Sequence, residues 1–360
     1  GGIYVWGPQL EEGTTASDFV ANTTGSPKFI TGATFGPRVP MILVEPSVTN
    51  NVTNTDFSTW ANSASNDSIG SAAPYGNFTK ITPSGNSSDA GVYKFISLAS
   101  GTFTQSCYAK FAGKHLSVLS AGKWTGYFDL QAGTATGTGA SIQPVGNGVF
   151  RCSVTGTDSS SSTHAIKFLA VDAVGSASVT DDGVSGVEIA MPQVEQGAVA
   201  TSFIPTAGST VTRAADDLKI TGSAFSGFFN ASEGTTYVES ILKSKTGTPH
   251  FFEYYDESSA NSNRMGSYIP ALGVNYYVLP GSCNISMGTY IVNQLNRFAV
   301  SYKTDDMLGS INGASEEPDT SSTLPSNVDA MSIGNMNTGA LSMTGHIKRL
   351  IYWPTHSDNL

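Results

Sequence analysis

Four adjacent carboxylate pairs, Asp181-Asp182, Asp216-Asp217, Asp305-Asp306 and Glu316-Glu317, are the first candidates for acid–base chemistry in this chain. Hydrolysis of a glycosidic bond needs an acid and a base or nucleophile roughly 5–10 Å apart. Sequence neighbours do not meet that need, because they point apart in a strand or lie in a turn. All four pairs stand beside Gly, Pro or linker residues and read as solvated turns. Asp129 lies within a strand and has no evident partner. The five histidines, at 115, 164, 250, 346 and 356, show neither H-x-x-x-H nor H-E-x-x-H spacing, so no zinc enzyme is indicated. No G-x-S-x-G elbow and no P-loop occurs. The sequence predicts no catalytic residue and no metal ligand.

Binding is the stronger reading. A sugar offers C–H faces to aromatic rings and hydroxyls to amides and carboxylates, so its site mixes aromatics with Asn and Asp on loops. Trp60, Tyr75, Trp124 and Tyr127 fall close to loops or strand ends. Further on, Phe251-Phe252-Glu253-Tyr254-Tyr255-Asp256-Glu257 combines rings with acids, and Tyr254, Tyr255 and Asp256 are its candidate ligand residues. The competing role for every one of these rings is to fill a core or a subunit interface. Trp353, on an expected final strand, reads as core.

The elements that must carry these residues are strands. Only 13% of residues are charged, Gly numbers 39, and short apolar runs are cut by Gly, Asn and Ser. That pattern predicts an all-β chain with many turns, and no sustained 3.6-residue period competes with it. Phe103, Gln105, Cys107, Ala109 and Phe111 alternate with Thr104, Ser106, Tyr108 and Lys110, placing the first set inward. Asn147-Gly148 is a hairpin signal, followed by Phe150, Cys152 and Val154 on one face. His164–Val171 and Val187–Met191 are further strands. Beyond residue 217, strands are expected at Thr235–Leu242, Phe251–Tyr255, Asn275–Leu279, Arg297–Tyr302 and Ile347–Trp353, with a turn at Asn312-Gly313. Cys107, Cys152 and Cys283 form neither a C-x-x-C pair nor an even set. They read as buried thiols, Cys107 and Cys152 as potential neighbours in one domain. The net charge of −10 excludes a basic nucleic-acid stripe, and no apolar run nears the roughly 20 residues of a membrane span.

Domain organisation follows from a repeat. Pro8-Gln9-Leu10-Glu11-Glu12-Gly13 returns as Pro192-Gln193-Val194-Glu195-Gln196-Gly197, with Ala16/Ala200 and Phe19/Phe203 in the same register. A segment recurring at one offset marks a repeated module. Residues 1–20 are therefore expected to be the last strand and tail of an upstream sandwich whose remainder precedes Gly1. Residues 21–44 form a Pro/Gly-rich connector, 45–205 a complete module, 206–216 a linker, and 217–360 a different all-β domain.

The segment Met41-Ile42-Leu43-Val44-Glu45-Pro46-Ser47-Val48-Thr49-Asn50, with Asp56-Phe57-Ser58-Thr59-Trp60, resembles the opening of a carbohydrate-binding-module-like jelly roll of bacteriophage virion proteins. Tyr127–Gly133 and Gly146–Arg151 are similar to its middle strands, and the Pro-Gln-x-Glu-x-Gly strand with the Thr201–Thr206 tail to its end. Asn51 and Phe150 depart from the pattern, standing where an aliphatic residue and a Trp-Tyr pair are usual. Glu233-Gly234-Thr235, Arg297–Tyr302, Ile311-Asn312-Gly313, Met331–Gly334 and Gly345–Pro354 resemble a concanavalin A-like domain of the laminin-G/pentraxin type. The fold so implied is tandem antiparallel β-sandwiches, jelly roll then concanavalin A-like. The function implied is that of a non-enzymatic tail-fibre, head-fibre or appendage protein, exposed on the virion. Its partners would be host surface polysaccharide or glycan, other virion proteins, and two further copies in a homotrimer. The alternative is a structural spacer or decoration module with no ligand. No cofactor is called for; calcium is the ion such domains often use, but no D-x-D-x-D-G loop is present.

Overall fold

The computed structural model describes residues 41–360 apart from 74–75, 177, 260–261, 271–272 and 281–282. The expected upstream strand at 1–20, nearly all of the connector and Tyr75 lie outside the described residues. Two units divide the rest, one comprising 48–213 and the other 41–47 with 214–360. Each is an antiparallel β-sandwich of two six-stranded sheets, so the chain is the all-β tandem of antiparallel β-sandwiches expected from the sequence. The only helix among the described residues is the short Gly222–Ser226.

In the first unit one sheet runs in the order Thr134–Thr136, Trp124–Asp129, His115–Ser120, Ser162–Val171, Gly91–Leu98, Ala61–Ser63. The facing sheet runs Ala140–Gly146, Val149–Asp158, Gly101–Ala112, Gly186–Gln196, Gly76–Pro83, Ser65–Ala73. The alternation read in the sequence places Phe103, Cys107 and Ala109 inward, against Val118, Phe128, Ile166 and Phe168 of the opposite sheet. Each large side chain so buried stabilises the fold by about 1.5–3 kcal/mol. Cys107 and Cys152 stand directly opposite each other in register as free thiols.

The face of Gly101–Ala112 expected to meet solvent is also buried. Thr104 and Ser106 are fully covered, and Tyr108 packs with Phe78, Val145, Val149 and Ala190, with Phe203 against them. The cause is the chain after Gln196, which turns back over the sheet; Thr104 Oγ1 donates to the Gly197 carbonyl at 2.9 Å. The repeated Pro-Gln-x-Glu-x-Gly segment is what fastens this return. Glu195, fully buried, accepts hydrogen bonds from the Thr201 amide at 2.8 Å, the Thr201 hydroxyl at 2.6 Å and Gln193 Nε2 at 2.7 Å. Gln193 Oε1 accepts from the Ile204 amide at 2.8 Å. Asn50 completes the knot, with Oδ1 accepting from Val194 N at 3.1 Å and Nδ2 donating to Ile204 O at 2.9 Å. Asn51, the departure noted in the sequence, donates to Val194 O at 3.0 Å. The expected linker is partly a strand: Val211–Arg213 pairs with Val48–Asn50.

In the second unit the sheets are Ile42–Val44, Thr344–Trp353, Glu233–Ser244, Asn296–Lys303, Met307–Ile311, Glu317–Asp319, and Leu218–Thr221, Ala330–Ile333, His250–Tyr255, Arg264–Tyr268, Gly273–Leu279, Cys283–Thr289. Ile42–Val44, read as the end of the Pro/Gly-rich connector, pairs with Thr344–Trp353 and puts Val44 into this core. The core is rich in rings, including Phe251, Phe252, Tyr254, Tyr276, Phe298 and Tyr302.

Candidate functional site

Most of the aromatic residues singled out in the sequence are core. Trp60 packs between Phe57 and Phe168, with ring centroids 5.2 and 5.5 Å away, and its indole N–H donates to Asn54 O at 3.0 Å. Trp124 lies on His164 and donates to Gln105 Oε1 at 3.3 Å. Tyr254 is sealed among Phe225, Phe229, Phe252 and Tyr302, its hydroxyl 2.9 Å from Thr236 Oγ1. Tyr255 is buried on the other face of the same strand. Asp256 holds its own turn, accepting from Ser258 N at 2.8 Å, Ser258 Oγ at 2.7 Å and Asn263 Nδ2 at 3.0 Å. Both faces of His250–Tyr255 are covered, so aromatic-acidic alternation here marks a doubly buried strand rather than a display surface. Glu253 on that strand is held by Arg264 Nη1 at 2.9 Å, by Asn337 N at 2.7 Å and by the Tyr277 hydroxyl. Tyr127 alone of the described candidates reaches the outer face, half-buried, opposite to Trp124 and Phe128.

A serine, a histidine and an aspartate also meet in the first unit. Ser120 Oγ lies 2.8 Å from His164 Nδ1, and His164 Nε2 lies 3.2 Å from Asp158 Oδ2. All three are almost completely covered by the sandwich. Burial holds the imidazole below its ordinary pKa, and hydrogen bonds from Ser162 and Lys123 hold Asp158 well below the carboxylate range. No substrate carbonyl reaches a hydroxyl in that position, and the trio acts as a buried polar strut. The pair Asp181-Asp182 forms a turn: Asp181 accepts from Gly183 N and Asp182 from Ser185 N, at 2.7 and 2.6 Å. Glu317, expected in a turn, instead opens the strand Glu317–Asp319.

Two outer faces do present aromatic rings to solvent. One is a groove of about 420 Å³ in the second unit, lined by Thr235, Tyr237, Ala299, Trp353 and the closing segment at 355–357 and 359–360. Its floor is built by register, since Thr235 pairs with both Trp353 and Ser301, and Tyr237 with Ala299. Its wall is the chain beyond Trp353, fixed where Thr235 Oγ1 donates to Thr355 O and Ser357 N donates to Ser301 Oγ, each at 2.8 Å. Trp353 is 45% exposed, which corrects its reading as core. The Tyr237 hydroxyl donates to Glu239 Oε1 at 2.9 Å, and burial together with that carboxylate raises its pKa. Burial acts to raise Glu239 as well, but Tyr237 and the Lys348 ammonium at 3.3 Å outweigh it and hold Glu239 low. Arg297 and Arg349, each 3.7 Å from Glu239, join Lys348 around that one carboxylate, so the cluster beside Tyr237 is net positive. The groove itself offers an indole face, a phenol edge, and the hydroxyls and amide of Thr235, Thr355, Ser357 and Asn359.

The second face lies on the first unit. Tyr93 and Phe95 project from Gly91–Leu98 with centroids 5.7 Å apart, and Phe95 is 65% exposed. Lys167, opposite Tyr93, sits 5.9 Å from that ring and pairs with Asp89 at 2.6 Å. Ser63 Oγ donates to Asp89 at 3.1 Å.

Sequence reasoning missed both faces, for different reasons. Lys348-Arg349 interrupts the alternation of the last strand, and the register shifts beside it, between Glu239 and Ser240 of the partner strand. Counting by two from the exposed Arg349 puts Ile351 and Trp353 outward, a signal available in the sequence. In Gly91–Leu98 both faces are apolar, so period alone could not choose between them.

No protein-family model and no curated protein matches the chain. Among solved structures, the CBM40 of Ruminococcus gnavus IT-sialidase, bound to α2,3-sialyllactose, is similar at 16% identity and TM-score 0.32, covering 36% of this chain and 80% of that one. Domains LG4-5 of the mouse laminin α1 chain are similar at 11% identity and TM-score 0.29, covering 74% of this chain and 86% of that one. The LG1-3 region of the laminin α2 chain is similar at 10% identity and TM-score 0.30, covering 74% and 65%. At such scores the likenesses assign no family and place no ligand. What the fold defines is a class, the tandem antiparallel β-sandwich.

Proposed function

We propose that this chain is a non-enzymatic glycan-binding protein, a fibre or appendage component of a phage virion that adheres to host surface polysaccharide. The observation that carries the glycan reading is the groove beside Trp353. A half-exposed indole next to a tyrosine, ringed by neutral hydroxyls and an amide, matches a sugar's apolar C–H face and its hydroxyl edge. Burying a ring on such a surface is worth most where the aromatic is rigid and the polar groups need little reordering. Trp353 and Tyr237 meet that condition because both stand on strands. The Tyr93–Phe95 face, with Lys167 and Asp89 beside it, gives the same chain a second shallow site. Weak sites gain strength through repetition, which is the use of a homotrimer on a particle that carries many copies. The sequence resemblance to virion proteins supports the phage context, the trimer, and assembly with other virion proteins.

The rival reading is a spacer or decoration module. It is favoured by one observation: Trp60, Trp124, Tyr254 and Tyr255 all serve the cores. A glycan array probed with the full chain separates the two. Retention on a set of related glycans, reduced in Trp353→Ala or Phe95→Ala, supports adhesion. A folded chain that binds no glycan on the array supports the spacer.

A further inference from the structure

The groove's wall carries a second group of residues that sugar binding does not use. His356 lies in the segment beyond Trp353 with its side chain only 5% exposed, yet its Nε2 makes no hydrogen bond among the described residues. Asp306, in the turn between Asn296–Lys303 and Met307–Ile311, brings Oδ1 to 3.6 Å from that nitrogen. Asp358 brings Oδ1 to 3.2 Å from Nδ1 on the other side of the ring. Donor atoms of the three residues fall within 4.8 Å of one another. A buried imidazole nitrogen facing a carboxylate without a hydrogen bond is a costly arrangement unless something stands between them.

We propose that His356 Nε2 and Asp306 bind a divalent transition-metal ion of the zinc class, with water completing the coordination and Asp358 orienting the imidazole from Nδ1. Donors bound to one tetrahedral zinc at about 2.1 Å sit about 3.4 Å apart, and the His356–Asp306 separation of 3.6 Å matches that spacing. Asp358 supplies the other half of the arrangement. A carboxylate on Nδ1 keeps the proton there, leaving the Nε2 lone pair for the ion and fixing the ring's orientation. Calcium fits poorly, because a hard cation takes six to eight oxygen ligands and an imidazole nitrogen is not among them. Backbone bonds hold the donors in place without the ion: Asp306 N donates to Lys303 O at 3.1 Å, and Ser357 N to Ser301 Oγ at 2.8 Å. The ion would tie the segment 355–360 to the 303–306 turn and so stiffen one wall of the groove. This inference does not depend on what the groove binds.

The test is calorimetric titration of the full chain with zinc chloride, after exhaustive chelation and with no sugar present. One zinc per chain is expected, with Asp306→Asn and His356→Ala abolishing that binding event. Asp358 is largely exposed, so Asp358→Asn leaves the fold alone; it should weaken zinc binding about 10–100-fold, the usual cost of losing an orienting carboxylate. Equimolar calcium should not displace the zinc. Circular dichroism and thermal unfolding check each variant. If a folded wild-type chain takes up no zinc at millimolar concentration, the proposal fails. It fails equally if His356→Ala and Asp358→Asn both bind as the wild type does, because the ion then sits elsewhere. Slowed amide exchange in 355–360 on adding zinc would supply independent support, and unchanged exchange in a zinc-saturated chain would contradict the clamp.

Discussion

Replacing Glu195 tests whether the repeated Pro-Gln-x-Glu-x-Gly segment is a structural knot. Its carboxylate is fully buried and receives three hydrogen bonds, from Thr201 N, Thr201 Oγ1 and Gln193 Nε2. Glu195→Ala leaves two buried donors of Thr201 unsatisfied, at about 1–3 kcal/mol each, and leaves Gln193 Nε2 with only its longer bonds to Thr201 O at 3.4 Å and Ser202 O at 3.5 Å. Against this stands the relief of removing a carboxyl whose ionisation burial already opposes, as its raised pKa shows. The net cost is therefore set at the lower end, about 2 kcal/mol. Glu195→Gln behaves differently. Its Oε1 can still accept from Thr201 N and Gln193, and its amide nitrogen can donate to the Thr201 hydroxyl, which turns to accept. That variant should lose about 1 kcal/mol or less. Urea unfolding followed by tryptophan fluorescence reads both, Trp60 and Trp124 reporting from the core of the same unit. A Glu195→Ala variant within about 1 kcal/mol of wild type, or one no worse than Glu195→Gln, would refute the knot.

Two other consequences follow from buried titrating groups. Burial lowers the pKa of His250 from 6.5 to about 4, and its Nδ1–H donates to Thr248 O at 3.0 Å. The folded chain thus resists a proton that the unfolded chain accepts. This contribution is fully present above pH 6.5 and is lost as pH falls from 6.5 towards 4, about 3 kcal/mol in all at 1.36 kcal/mol per pKa unit. Unfolding free energies of wild type and His250→Asn at pH 7 and pH 4 check it, because the gap between the two chains should close over that window. Burial likewise raises the thiols of Cys107 and Cys152. An aromatic disulfide reagent at pH 8 should leave both unmodified in the folded chain and titrate both in denaturant; rapid modification of the native chain would contradict the register that seals them.

The strands were legible because their alternation is physical: Phe103, Cys107 and Ala109 had to share a face, and they do. The turn at Asn147-Gly148 was legible because both residues take positive φ there, 52° and 71°. The repeat was visible in the sequence as a recurring segment, but its chemistry was not. Nothing in the sequence says that Glu195 turns inward to receive the returning chain, since that depends on Thr201 and Ile204 arriving from beyond the strand. The binding faces were obscured for the converse reason. Rings such as Trp124 and Tyr254 lie beside polar residues in sequence, yet the partner sheet covers them. Trp353 looks like core in sequence, and a register shift turns it outward. Aromatic content signals that a ring will be buried against something; for rings such as Trp124 and Tyr254 only the sheet pairing says that this is the core, whereas for Trp353 the spacing from Arg349 already points outward.

The central claim rests on Trp353, and the most direct measurement is the affinity of the full chain and of Trp353→Ala for the glycan retained most strongly on an array. Truncating an aromatic at the centre of a site removes at least about 1.4 kcal/mol, which is a tenfold loss of affinity. The prediction is a loss of that size or more, with the thermal stability unchanged because the indole lies outside the core. Equal affinity of the two chains for that glycan would contradict the account.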